Sequence, residues 1–323
     1  MKLKNDTLIV FFLSLTISSN LLLVERLFGI GWDYHPDSVY YINTSKDIIN
    51  DIFYNYNHSS LLVWLKSNFF FNFIVYLLGS NIALVITLNI FLFSFTNILI
   101  YKFLKKNLNF NYLHLGTLIL LFSPYRVHLS TTCLKDTLVI FLFVSIFWSK
   151  FFIGSIATFF LITTRFFSLI YLFILIKKLK NRLLILFFFL FYLGGIFIYS
   201  HDFILKYILE IHQADSHRVR DFDMIPAFDN YGIGGILLRA IIWPILILTG
   251  SFILISPSLE LFGVFLSSIF NLLYCKIYLK SWGFRFIPFL ILSIIALLVS
   301  GFTPFARYSL VILTILPLYI VKK

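Results

Sequence analysis

The chain begins MKLKNDTLIVFFLSLTISSNLLLV (residues 1–24), two lysines and one acid followed by an apolar run that lasts to about residue 30. A basic start before an apolar run is also typical of a secretory signal peptide. Here the run is too long, and no cleavage site of small residues follows it. We therefore expect a retained helix that crosses a membrane.

The composition extends this expectation to the whole chain. Of 323 residues, 60% are hydrophobic, 20% are aromatic and only 12% are charged. A soluble domain carries about 25% charged residues, so the composition indicates a protein that crosses a membrane several times. Two cysteines, Cys133 and Cys275, provide no disulfide framework.

Apolar segments recur along the chain. Twelve are recognised, at about 8–30, 59–79, 82–103, 112–124, 137–149, 151–163, 166–176, 183–200, 236–256, 259–275, 286–302 and 308–321. Two of these segments are poorly suited to cross a membrane. Segment 59–79 carries Lys66 and Asn72, and segment 236–256 carries Arg239 and Pro244. We expect these two to be interfacial or re-entrant helices on the outer face. The prediction is one all-α integral membrane domain, residues 1–323, with ten spans and both termini inside.

Under this scheme most basic residues lie inside the membrane boundary, and nearly all acidic residues lie outside it. Fifteen of the 26 Lys and Arg residues then lie inside with one acid, Asp6, whereas the outside receives the other thirteen acids. A net charge of +12 suggests nucleic acid, but the cations form short clusters between apolar runs, as in cytoplasmic loops. We expect outer loops at 31–58 and 201–257, a bacterial inner-membrane location, and no nucleic-acid partner.

The first outer loop holds GWDYHPDSVYYINTSKD (residues 31–47), with Asp33 and Asp37 on either side of His35. A carboxylate at a membrane surface can act as a general base for a hydroxyl group. The same acids are also compatible with a solvated loop or a divalent-metal ligand. We expect Asp37 to be the catalytic group and Asp33 to be the second choice.

Cations and one tyrosine on the predicted outer face are candidates for holding a phosphate, because charge-assisted hydrogen bonds are strong in a dry site. They are Arg126, Lys135, Arg165, Arg218, Arg220, Arg239, Arg307 and Tyr308. Simpler interpretations are snorkelling cations, a solvated loop at 216–223, and an interface anchor pair at 307–308. Asp136 is explained by the dipole of a helix that starts there. No tight metal-ligand spacing is present, so we expect no protein-bound metal.

In the order of its motifs the chain resembles the GT-C class of membrane glycosyltransferases, which use polyprenyl-linked sugar donors. PDSVYY (36–41) stands where that class has a catalytic acid followed by tyrosine. YLLGSNIALVITLNIFLF (76–93) resembles its passage from interfacial helix to second span. Pro124, Ser130 and Asp136 match its turn between the third and fourth spans, and ARYSLVILTILPLYIV (306–321) resembles its last span. The second acid of the family motif is replaced by Ser38.

The resemblance implies an inverting glycosyltransferase at the outer membrane surface, with an undecaprenyl-linked sugar as donor and a glycan as acceptor. The SP…S…KD turn and the lone arginines also resemble O-antigen and capsule repeat-unit polymerases, the activity that we expect here. Single-sugar transfer from a polyprenyl monophosphate and a lipid-linked oligosaccharide flippase are the alternatives. No cofactor is implied, although a divalent cation with the donor phosphate stays open. Membrane lipids and other polysaccharide-assembly proteins are the further partners.

Overall fold

The computed structural model describes residues 2–54, 68–108, 121–148, 151–165, 168, 232–255, 264–266, 268, 291–296 and 302–321. The chain divides into two compact units, residues 1–168 with 321–323 and residues 169–320. Every regular element in the described ranges is helical, and these ranges contain no strand. This confirms the all-α class. The single domain predicted for residues 1–323 stays a prediction.

The helices of the first unit are α1 (Lys2–Leu27), α2 (Pro36–Tyr54), α3 (Phe69–Leu77), α4 (Ile82–Leu108), α5 (Pro124–Ser130), α6 (Asp136–Trp148) and α7 (Phe151–Thr164). Those of the second unit are α8 (Gly232–Thr249), a 3₁₀ helix (Ser251–Leu254) and α9 (Phe302–Val321).

Helices α1 and α4 pack as an antiparallel pair. Asp6 near the start of α1 contacts Tyr101 and Lys105 near the end of α4. Ser14 near the middle of α1 meets Asn97 near the middle of α4, at 3.1 Å. The C-terminal end of α1 therefore lies beside the N-terminal end of α4, at the opposite end of the pair from Lys105.

The two helices of this pair bury polar side chains and expose apolar ones. In α1, Ser14 and Ser18 are fully buried, whereas Leu8 is 55% and Leu23 is 63% exposed. Helix α4 repeats the pattern, with Asn89, Ser94 and Asn97 buried and Leu84, Phe91 and Phe95 exposed. Apolar residues such as Val85 and Ile100 are buried beside these polar ones, so the buried and the exposed faces of α4 are both largely apolar, as in a membrane span.

Two helices among the described residues are long and apolar enough to cross a membrane: Asp6–Leu27 within α1 and Ile82–Lys106 within α4. Helices α6 and α7, predicted as spans, have only 13 and 14 residues. At 1.5 Å per residue they are about 20 Å long, less than the roughly 30 Å of a hydrocarbon core. The predicted span 183–200 and most of 112–124, 166–176, 259–275 and 286–302 lie outside the described residues.

Helix α3 is the described part of predicted segment 59–79. Its nine residues cannot cross a bilayer, and they pack between α2 and α7. Tyr41 meets Phe71 edge-on at 5.0 Å, and Phe70 stacks on Phe160 at 4.0 Å. Aromatic contacts of this kind hold α3 in the protein interior.

Gly29 sets the exit of the chain from α1. Its φ of 74° is in the left-handed region, and the amide of Ile30 bonds to the carbonyl of Glu25 at 2.8 Å. A glycine at this position ends a helix at little steric cost. The turn that carries Asp33 and His35 therefore begins directly at the end of α1.

In the second unit, α8 contains the predicted re-entrant segment up to Thr249, with Pro244 inside the helix. Trp243 is fully buried, and its ring lies 5.6 Å from Phe302 and 5.3 Å from Phe305 of α9. Phe252 of the 3₁₀ helix also contacts Phe302, at 5.5 Å. An aromatic core therefore joins α8, the 3₁₀ helix and α9.

Candidate functional site

SPYRVHLSTTCLKD (residues 123–136) lies at the centre of the polar contacts in the first unit. The chain is helical at Leu121, breaks at Phe122 and Ser123, and resumes as α5. Pro124 follows this break and occupies the first turn of α5. Proline suits a first helical turn, where no backbone donor is needed.

Arg126 bonds to the middle of the α1–α4 pair. Its Nη2 donates to Asn97 Oδ1 at 2.9 Å, and its guanidinium lies 5.3 Å from the ring centroid of Phe93. Asn97 in turn donates to Ser14 at 3.1 Å. Arg126 is only 3% exposed. Arg126 is therefore buried near the middle of the helix pair, whereas the sequence predicted a position on the outer face.

A small cleft lies beside Arg126. It has a cavity volume of about 10 Å³ and is lined by Phe93, Thr96, Arg126, Thr137 and Ile140. Pockets that bind organic ligands usually measure about 300–1,000 Å³. The cleft therefore has room for water rather than for a sugar with its phosphate.

A chain of three ionisable side chains joins α1, the turn that follows it and α5. Glu25 Oε1 lies 2.6 Å from His128 Nδ1, and His128 Nε2 lies 2.9 Å from His35 Nε2. The second carboxylate oxygen of Glu25 accepts a 2.5 Å hydrogen bond from Thr131 Oγ1. All three members are largely buried, with His35 and Glu25 each 7% exposed.

Aromatic rings surround this imidazole pair. Tyr34 approaches both imidazoles edge-on, at 5.1 Å from His35 and 6.0 Å from His128. Tyr125 lies nearly parallel to His128 at 6.0 Å. These rings restrict the orientation of both imidazoles and reduce their contact with water.

The turn after α5 is held by a buried amide. Asn89 Nδ2 donates to the carbonyl of Thr132 at 2.7 Å and to that of Leu134 at 3.1 Å. Cys133 lies between these two carbonyls and is fully buried, and burial raises the pKa of its thiol to about 12. A thiol in this state is neither nucleophilic nor ready to ligate a metal.

Two more predicted phosphate ligands, Lys135 and Arg165, have hydrogen-bond partners within the protein. Lys135 Nζ donates to Asn68 Oδ1 at 2.6 Å and lies 5.3 Å from the ring of Tyr41. Arg165, at the end of α7, donates to Asp136 Oδ1 at 2.6 Å, and both side chains are buried. Asp136 is the first residue of α6, so its carboxylate also meets the positive end of that helix.

The two predicted catalytic acids lie on either side of His35 in sequence. Asp33 is exposed in the turn after α1, and Asp37 is half-buried in the first turn of α2. A carboxylate in a first turn is stabilised by the helix dipole. Their predicted roles stay predictions.

The remaining predicted ligands belong to the second unit or lie outside the described residues. Arg239 is fully buried in α8 and lies 5.0 Å from the ring of Trp243, one turn along the helix. Arg307 lies 5.5 Å from the ring of its neighbour Tyr308, near the start of α9. Arg218 and Arg220 lie outside the described residues.

The sequence predicted no functional role for Glu25 or His128. The sequence feature that points to Glu25 is its position, because this acid lies in the otherwise largely apolar stretch LLLVERLFG within the first predicted span. Ionisable residues at such depth are costly and indicate a partner or a function. In the described parts of the chain, no group of three or more His, Cys, Asp or Glu residues is arranged to hold a metal ion.

No protein-family model matches this chain, and neither a curated protein nor a solved structure matches it. The candidate site is therefore interpreted from its own geometry and from the motif order of the sequence.

Proposed function

We propose that this protein is a membrane glycosyltransferase that uses undecaprenyl-linked sugar donors at the outer face of the bacterial inner membrane. Its expected reaction is polymerisation of O-antigen or capsule repeat units. The proposal includes ten spans, both termini inside, and an active site at the end of the α1–α4 pair that carries residues 31–37.

One observation supports the proposal most strongly. Ionisable and polar side chains converge around residues 123–136 inside the first unit, whereas many of the exposed side chains of α1 and α4 are large and apolar. A membrane protein retains buried ionisable groups at a cost, and such groups usually serve a reaction or a transport path. The break before α5 adds support, since irregular backbone at membrane depth is tolerated only inside protein or beside a cavity.

In the proposed reaction the lipid of the donor lies in the bilayer and its phosphate lies at headgroup level. An acceptor hydroxyl from the aqueous side attacks the anomeric carbon. Asp37, or Asp33 as the second choice, is the base that the sequence suggests. Arg307 and the other arginines of the outer face are proposed to hold the departing phosphate, where negative charge develops.

The glycan profile of a deletion strain tests the proposal. A lipid-linked core with one repeat unit, in place of a ladder, indicates the polymerase. A complete ladder that lacks one side-chain sugar indicates the single-sugar alternative. Lipid-linked repeat units that accumulate on the cytoplasmic leaflet indicate the flippase. A glycan profile identical to that of the parent strain would contradict all three.

A further inference from the structure

The three asparagines of the two candidate spans have different surroundings. Asn89 and Asn97 of α4 are fully buried, and each donates a hydrogen bond within the first unit. Asn20 of α1 is exposed, and its amide has no hydrogen-bond partner in the part of the chain that the structure describes. The described helices therefore satisfy the amides of α4 but not the amide of α1.

Asn20 lies well inside the candidate span Asp6–Leu27, seven residues before its C-terminal end. At 1.5 Å per residue this is about 10 Å from the end of the span. The side chain of asparagine is too short to reach water over this distance, whereas lysine or arginine could do so. An amide without a partner is costly in hydrocarbon, so we expect a polar partner at this depth.

The exposed face of α1 that contains Asn20 is continuous along the span. Ser14, Ser18 and Glu25 share the opposite face, which is buried within the first unit. Only 17% of the α1 span is buried within the protein, against 44% of the α4 span. Spacings of three and four residues place six exposed side chains on one side of the helix. They are Ile9, Phe12, Thr16, Asn20, Leu23 and Leu27.

We propose that this face binds α1 of a second copy of the chain, with the Asn20 amides of the two copies hydrogen-bonded to each other. Two copies with the same topology have parallel α1 helices, so their Asn20 side chains lie at the same depth. A twofold axis along the membrane normal brings these equivalent residues together. The amide has two donors and one acceptor oxygen, so each Asn20 can donate to the other. An unrelated partner has no amide assured at this depth.

The neighbours of Asn20 suit a close approach of two helices. Thr16 and Ser19 are exposed and lie within one turn of Asn20, and small side chains let membrane helices pack closely. Leu23 is 63% exposed and Leu27 is 85% exposed, and in the proposed dimer they pack against the second copy. A single polar residue in such a contact fixes the register of the helices, as in coiled coils. The inference requires that α1 crosses the membrane, but it does not require the proposed reaction.

Cysteine cross-linking in native membranes tests the contact. Thr16→Cys should form a disulfide-linked dimer on oxidation. Phe95→Cys is the matched control, because Ser14 contacts Asn97 and Phe95 of α4 therefore lies at about the depth of Thr16. Phe95 is also exposed, by 47%, and its cysteine variant should stay monomeric. Both variants also carry Cys275→Ser, and the parent with this change alone is the blank.

Energy transfer between labelled copies in liposomes measures the strength of association. Asn20→Leu should weaken the dimer roughly tenfold, the usual contribution of hydrogen bonds between membrane helices. Asn20→Gln keeps the amide and should retain most of the association. Leucine is favourable in a bilayer, so Asn20→Leu should insert at least as well as the wild type.

Two results would overturn the proposal. One is a wild-type protein that stays monomeric in liposomes and gives no Thr16→Cys cross-link, as expected if another segment of the same chain meets the amide. The other is an Asn20→Leu protein that associates as strongly as the wild type. Neither measurement uses a sugar donor, so the dimer is tested equally well in a protein that makes no polymer.

Discussion

Arg165 and Asp136 form a buried ion pair, with 2.6 Å between Arg165 Nη2 and Asp136 Oδ1. The pair ties the end of α7 to the start of α6, two helices that pack side by side as a hairpin. A guanidinium engaged in this way already has an anionic partner in the protein. A structural role for Arg165 therefore competes with its predicted role as a phosphate ligand.

A double-mutant cycle measures this ion pair. Loss of either partner leaves a buried charge uncompensated, so Arg165→Ala or Asp136→Ala should each destabilise the protein by about 3–5 kcal/mol. The double variant should cost clearly less than the two single losses together. Unfolding in detergent micelles provides the measurement, and Lys46→Ala on the exposed face of α2 is the control. An Arg165→Ala protein with unchanged stability but weakened donor binding would favour the phosphate role.

The acids that flank His35 are tested with matched substitutions. With Asp37 as the proposed base, Asp37→Asn should lower polymer formation by about 10²–10⁴-fold, the usual contribution of a positioned base. Asp47→Asn makes the same chemical change on the same helix as Asp37→Asn and should have no effect. An Asp37→Asn protein that makes polymer at the wild-type rate would move the role of base to Asp33.

The orientation of the α1–α4 pair is tested by labelling single cysteines. Asp47→Cys and Lys106→Cys both start from exposed side chains. Cys275→Ser removes one native thiol, and Cys133 should stay unlabelled because burial raises its pKa to about 12. A membrane-impermeant maleimide should label Asp47→Cys in intact spheroplasts and Lys106→Cys only after lysis. Labelling of Lys106→Cys before lysis would contradict the proposed topology.

Asn89 is expected to keep the turn around Cys133 closed. Asn89→Leu removes the donor to the carbonyls of Thr132 and Leu134, and each buried carbonyl left without this bond costs about 1–3 kcal/mol. The turn should then open often enough for Cys133 to react with maleimide faster than in wild type. Asn81→Ala removes only an exposed 3.2 Å contact at the start of α4 and is the control. Equal labelling of Cys133 in Asn89→Leu and wild type would show that another contact closes the turn.

Composition and hydropathy sufficed to predict the helical class and the positions of α1 and α4, because long apolar runs leave the backbone few alternatives to a helix. They also placed Asp136 at a helix start. These features depend on residues that are close together along the chain, and such local patterns can be read directly from the sequence.

The partners of the buried polar groups were not predictable in this way. Asn97 and Arg126, 29 residues apart, and Glu25 and His128, 103 residues apart, meet only after the helices have packed. The start of α5 directly after the break was not predictable either, since proline is compatible with both the end and the beginning of a helix. Tertiary contacts determine these partners, and a single sequence contains little information about tertiary contacts.

The order in which the chain is synthesised separates Glu25, on the polar face of α1, from its partners. Glu25 is translated 103 residues before His128 and 106 residues before Thr131, the two side chains that hold its carboxylate. At about 5–20 residues per second, that interval lasts roughly 5–20 s. Under the proposed topology the first hydrophobic helix spends this interval with a carboxylate that has met neither group. Under the same topology we expect this face of α1 to be shielded from lipid until the segment around residue 128 has emerged.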